Sequence, residues 1–200
     1  MFNAAIEYAA RGWSVLPVHG IKDGKCTCGK QNCTSPGKHP LTRHGHKDAT
    51  TDKTIIAKWW QQWPDANIGI ATGKVSGLIV LDIDIDKGGY ESLQNLINLH
   101  TALPETLTQI TGSGGKHYLF AYPDEPIRNS ASKLGDGIDI RGDGGYIVAA
   151  PSSHISGGFY SGHTSLSKTE LADMPEWLLV LIHTVKSPVK PVVKDAMPDA

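Results

Sequence analysis

The chain has 200 residues, of which 40% are hydrophobic, 20% charged and 7% aromatic, with 22 glycines and 12 prolines. That is enough for one sizeable or bilobed core, too little for several independent domains, and the wrong composition for a disordered or fibrous protein. A formal net charge of −1 excludes a strongly basic protein that coats nucleic acid through bulk electrostatics.

Met1 to Glu7 contains no basic cluster followed by an apolar stretch, which predicts no secretory signal and a cytoplasmic location. No apolar run nears the roughly 20 residues that span a bilayer, so no membrane partner is expected. Phe2, Ile6, Ala9 and Ala10 lie near helical spacing up to a stop at Gly12. Residues 20–48 abandon periodicity for Gly, Lys, Cys, His and Pro, and read as a long irregular loop that needs a tether. Thr50 or Thr51 can cap a helix through Ile55, Ile56, Trp59 and Trp60, which Trp63-Pro64 ends; its aromatic stripe reads as core.

Asn67 to Ala71 and Gly77 to Asp84 have the β-branched, Gly-bounded character of strands, the second apolar enough to be central. Tyr90 to Leu99 reads as a helix. Thr106 to Thr111, His117 to Tyr122, Ile138 to Arg141 and Tyr146 to Ala150 read as short strands between turns. A last amphipathic helix is expected over Lys168 to His183, interrupted or started by Pro175. The pattern predicts one folded unit over residues 1–185, with 186–200 as a linker or disordered tail. Charge is unevenly placed along it: residues 1–58 hold nine Lys/Arg against four Asp/Glu, and residues 59–145 hold six against eleven.

All three cysteines fall within the early loop, as Cys26, Cys28 and Cys33, and His39 follows. An odd number of cysteines in a cytosolic chain argues against a disulfide framework, whereas three thiolates and an imidazole suit tetrahedral Zn2+. His44 and His46 are rival fourth ligands. Four protein ligands leave no open position, so the zinc is expected to be structural and to supply the missing tether.

Asp82, Asp84 and Asp86 stand at spacing two directly after the hydrophobic strand, so a continuing strand would aim them to one face. Clustered like charge calls for a cation, and oxygen ligands point to Mg2+ or Mn2+. Asp86 reads equally well as part of a capping turn. No Gly-x4-Gly-Lys-Ser/Thr is present for a P-loop, and no Gly-x-Gly-x2-Gly opens a helix after a first strand. No glutamate lies between Glu7 and Glu91 to complete a topoisomerase-type primase site. The segment Gly112-Ser-Gly-Gly-Lys-His117 is a glycine-rich turn entering a strand, where backbone amides, Lys116 and His117 can approach an anion, or else an ordinary hairpin turn. Asp139, between Ile138 and Ile140, needs a partner in so apolar a setting, and a metal shared with Asp82 and Asp84 would provide one.

In this order and spacing, DID, GGKH and GIDIRGDGGYIVAAPS resemble the archaeo-eukaryotic primase superfamily, in particular the bifunctional DNA primase/polymerase (Prim-Pol) domain of phages, prophages and plasmids. The resemblance runs over nearly the whole chain. It implies an α+β fold of two modules, one with a sheet like that of an RNA-recognition motif, and an active site in the cleft between them. It further implies that Asp82, Asp84 and Asp139 hold two divalent ions, and that His117 contacts the phosphates of an incoming NTP or dNTP.

On that reading, Lys116, Ser113 and the amides of Gly114 and Gly115 assist His117, and Arg141 reaches phosphate or balances the carboxylates. Lys25, Lys30, Lys38, Arg43 and Lys47 would track a single-stranded DNA template. Two departures stand out. Gly115 occupies a position where many relatives have serine, and the cysteine loop precedes the first motif instead of following it. The expected function is template-directed nucleotidyl transfer by a primase or polymerase of a mobile element. The alternatives are a metal-dependent nuclease and a catalytically silent module serving a replicative helicase. Such a helicase would lie in the same longer chain or in a separate protein.

Overall fold

The computed structural model describes residues 1–162 and 170–184. Among the described residues, four helices and eleven strands form an α+β arrangement. Helix α1 (Phe2–Ala10) buries Ala5 and Ala9 and is stopped by Gly12, whose φ of +86° is closed to most other residues. Strand β1 (Val15–Val18) follows, buried at all four positions. Sequence reading gave this stretch no element. The strand lies at the edge of its sheet, where the missing N–H of Pro17 is tolerated.

The loop 20–48 is less irregular than expected. Strands β2 (Ile21–Lys22) and β3 (Lys25–Cys26) form a small hairpin whose turn residues, Asp23 and Gly24, both have positive φ. A 3-10 turn spans Gly45–Asp48. Helix α2 (Lys53–Gln62) is capped by Asp52, not by Thr50 or Thr51: the Asp52 carboxylate accepts from Thr54 N at 2.7 Å and Ile55 N at 3.2 Å. Thr50 is instead engaged in a bridge to Val15.

Strand β4 (Asn67–Ala71) is the centre of an antiparallel three-stranded sheet, between β1 and β10 (Tyr146–Ala149). Strand β5 (Leu78–Ile83) lies inside a six-stranded antiparallel sheet. Its other members are β6 (Thr108–Ile110), β7 (Lys116–Ala121), β8 (Ser130–Ala131), β9 (Ile138–Arg141) and β11 (Ser161–Gly162), in the order β11-β6-β7-β5-β9-β8. The strand ends at Ile83, so the run of aspartates does not continue on one face. Asp84 caps a 3-10 turn over Ile85–Lys87, and exposed Asp86 donates its N–H to the Asp84 side chain at 3.2 Å. Helix α3 (Gly89–Leu99) follows. Helix α4 (Glu176–Thr184) begins only after Pro175, with Ala172 paired to Phe120 beforehand. Lys168 and the segment 186–200 lie outside the described residues.

Alternation along β5 decides what each face of the large sheet does. Ile79, Leu81 and Ile83, with Phe120, Ile138 and Ile140, form a core with Leu93 of α3 and Leu178 of α4. Each such fully buried side chain contributes about 1.5–3 kcal/mol by leaving water. Leu78 and Val80 face the other way, into a core shared with Ile68, Ile70 and Ile147 of the small sheet, Ala5 of α1 and Ile56 of α2. The next residue on that second face is Asp82.

Candidate active site and metal loop

Asp82 stands where the apolar filling between the two sheets gives way to polar groups. In the register of the large sheet it is directly opposite His117 on β7 and Asp139 on β9, and His117 is opposite Gln109 on β6. Four adjacent strands therefore present Gln109, His117, Asp82 and Asp139 as one row across the sheet. Arg141, two residues beyond Asp139, shares its face.

The row is closely hydrogen-bonded. Arg141 Nη2 lies 3.1 Å from Asp82 Oδ2 and 2.8 Å from Asp139 Oδ2, and its Nε is 3.3 Å from Asp82 Oδ2. His117 Nε2 is 3.3 Å from Asp82 Oδ1. The second oxygen of Asp139 accepts from Ser132 N at 3.0 Å. Burial alone would raise the Asp82 carboxyl, but the hydrogen bond from His117 and the Arg141 guanidinium outweigh it and hold the group at about 2.

Gln109 was not anticipated from the sequence. Its Oε1 accepts from Ala150 N at 3.0 Å, and its Nε2 donates to Val148 O at 2.8 Å and to His117 Nδ1 at 2.6 Å. The backbone contacts fix which end of the amide is nitrogen. Nδ1 of the neutral imidazole must then be the acceptor, so the ring proton sits on Nε2, facing Asp82. The available signal was an inward-pointing polar residue two positions after Leu107 in a short strand.

Asp82, His117, Asp139 and Arg141 line a cleft of about 330 Å³, together with Lys38, Asp84, Lys87, Ser113, Tyr146 and Tyr160. The walls come from the large sheet and from β10 of the small one. Tyr160 and Tyr146 are both held neutral by burial, which pushes their phenols up.

Asp84 reaches the same cleft, but its carboxylate turns onto Lys87 Nζ at 2.7 Å. It therefore does not close with Asp82 and Asp139 into a three-ligand cluster, and the cysteine loop supplies such a cluster among the described residues. Lys116 alternates to the far face of β7, its ammonium 4.6 Å from the Tyr118 ring centre, and does not line the cleft. Gly114 and Gly115 belong to the β6–β7 hairpin turn. The Gly114 amide donates to Thr111 O at 2.9 Å, and a Cβ on Gly115 would collide with the Ile83 carbonyl. Ser113 lies at the cleft edge, its hydroxyl 3.2 Å from that of Thr111.

The oxygens of Asp82 and Asp139 that share one guanidinium nitrogen form a hard, anionic pair suited to Mg2+ or Mn2+. In the loop, one ligand atom each from Cys26, Cys28, Cys33 and His39 lies within 4.8 Å of every other. His39 Nε2 is 3.4 Å from Cys26 Sγ and 3.5 Å from Cys33 Sγ. Zn–S and Zn–N bonds meeting at a tetrahedral angle require a separation of about 3.6 Å, which these two contacts match. His44 instead pairs with Asp48 at 2.9 Å, and His46 stacks on Tyr146.

Paired carboxylates, a histidine donor and an arginine in an open polar cleft define a phosphate-handling α+β domain. The sequence model of the bifunctional DNA primase/polymerase N-terminal domain matches residues 5–177, and the chain belongs to that family. It is therefore a domain of the DNA primase/polymerase type, acting on DNA and nucleotides. No curated protein matches it. No described helix is long and apolar enough to cross a membrane.

Proposed function

We propose that this chain performs template-directed nucleotidyl transfer as the primase or polymerase of a mobile element. The convergence of His117, Asp82 and Asp139 in a cleft open to solvent carries the reading, because it aims a proton donor and two carboxylates at one place from three strands, while Gln109 on a fourth orients the histidine. Asp82, Asp139 and Asp84 are the residues to hold two Mg2+ or Mn2+ ions. Such ions supply activation of a 3′-hydroxyl and neutralisation of charge on the leaving pyrophosphate.

The protein groups act around that chemistry. His117, with its proton on Nε2, is a donor to a phosphate oxygen that comes within reach of Asp82. Arg141 neutralises Asp82 and Asp139 before any cation arrives, which offsets their mutual repulsion, and on release it is a further donor for the triphosphate. Tyr146 and Tyr160 narrow the cleft with neutral, largely apolar walls. Cys26, Cys28, Cys33 and His39 would hold a structural Zn2+, ordering a loop that carries Lys25 and Lys30 beside a single-stranded DNA template. A replicative helicase, in a longer parent chain or separate, is the natural consumer of the product.

Incubation with Mn2+, labelled dNTPs or NTPs and a single-stranded template tests the reading. Extended product is expected. Degradation of the template would instead mark a nuclease, and neither outcome would leave a binding module. Asp82→Ala or Asp139→Ala with undiminished synthesis overturns the assignment.

A further inference from the structure

The cations of the cleft are not equivalent. Arg141 is shared between Asp82 and Asp139, and Lys87 is paired with Asp84. Lys116 faces away. Lys38 also lines the cleft, is exposed, and forms no ion pair with a carboxylate among the described residues.

Its main chain is unusually well held for a loop residue. The Lys38 carbonyl accepts from the Tyr146 hydroxyl at 3.0 Å, and the Gly37 carbonyl accepts from Asn67 Nδ2 at 2.9 Å. Gly37 N donates to Cys26 Sγ at 3.4 Å. On the other side His19 N donates to the carbonyl of His39 at 2.8 Å, and Pro40 bridges to Val18. Lys38 is thus fixed between a residue bonded to one cysteine ligand and the histidine ligand itself. The imidazole of His154, whose Cβ abuts Gly112, is pushed down by burial first and by the charge of Lys38 second.

We infer that Lys38 binds the triphosphate of the incoming nucleotide, and that the cysteine–histidine loop exists in part to hold it there. This rests on the nucleotidyl-transfer reading and replaces both Lys116 as the assisting lysine and Lys38 as a template contact. An unpaired lysine lining the same cleft as a histidine donor is the arrangement a polyphosphate needs, since Arg141 and Lys87 are engaged by carboxylates until those take up metal.

Binding of dATP without template, by equilibrium dialysis in Mn2+, separates the possibilities. Lys38→Ala should weaken dATP binding about tenfold, leave binding of an oligothymidylate unchanged and retain the wild-type zinc content; Lys38→Arg should restore most of the affinity. Wild-type protein stripped of zinc should fall to the level of Lys38→Ala, and stripping the variant should cause no further loss. Equal dATP binding by wild type and Lys38→Ala overturns the inference, as does a loss confined to the oligothymidylate. If stripping also removes the circular dichroism signal of the fold, the Lys38 comparison decides alone. A wild-type protein that neither binds dATP nor extends a primer overturns the nucleotidyl-transfer reading itself, whereas one that extends primers with Lys38→Ala unimpaired overturns the lysine alone.

Discussion

The Gln109 side-chain nitrogen lies 2.6 Å from His117 Nδ1, on the side of the imidazole opposite Asp82. A fully buried amide, itself tied to Val148 and Ala150, thereby dictates which ring nitrogen is protonated. Gln109→Glu replaces a donor with an acceptor and moves the proton of the neutral ring to Nδ1. Nitrogen NMR of labelled His117 should register the exchange, and primer synthesis should fall by about tenfold, with some loss of stability because the Val148 carbonyl also loses its donor. Gln109→Leu should in addition destabilise the fold by about 2 kcal/mol, because it orphans a buried carbonyl and a buried amide. An unchanged ring spectrum in Gln109→Glu would contradict the assignment.

Asp82 and Asp139 face each other across one strand pair and share Arg141. Removing either carboxylate is expected to depress synthesis by more than about a hundredfold. Arg141→Met removes the competing cation, so Mn2+ should bind more tightly when titrated by paramagnetic resonance. Weaker Mn2+ binding in that variant would show that the guanidinium does not occupy the ion's place.

The depressed Asp82 carboxyl has a signed effect on stability. Its folded value of about 2 lies below the ordinary 3.8, so the ionised form contributes above about pH 4, and the contribution disappears as pH falls through 2. The amount is about 2 kcal/mol. Chemical denaturation of metal-free protein at pH 4 and pH 2 should show that loss, and Asp82→Asn should flatten it. An acid limb identical in wild type and variant would refute the coupling.

The loop should carry one equivalent of zinc when the protein is purified without added metal. Chelation, or Cys28→Ser, is expected to lower the melting temperature by several degrees, roughly what a loss of 1–2 kcal/mol produces in a domain of this size. Metal analysis finding far less than one equivalent, with melting insensitive to chelator, would count against the site.

Much of this arrangement is legible in the chain. The runs 67–71 and 77–84 announce two buried strands because β-branched residues lie between glycines, and the cysteine spacing picks out three loop ligands, with the structure choosing His39 over His44 and His46 as the fourth. Other features depend on partners far away in sequence. Asp84 and Asp86 look equivalent to Asp82 until the strand stops at Ile83. Lys116 looks as useful as His117 until the pleat sends them to opposite faces. Gln109 is unremarkable until β10 supplies its carbonyl and amide, 39 and 41 residues later. Pro17 conceals a buried strand because only its edge position makes the proline acceptable.

The two centres also differ in how much chain they require. All four thiol and imidazole ligands lie between residues 26 and 39, so that pocket can close as soon as this stretch has left the ribosome and found a metal ion. The row across the large sheet needs Asp139, and its histidine is not oriented until Val148 and Ala150 have joined. During synthesis a nascent chain would therefore be metallated long before it could do chemistry, and a ribosome stalled midway would release a product that holds zinc yet is inert.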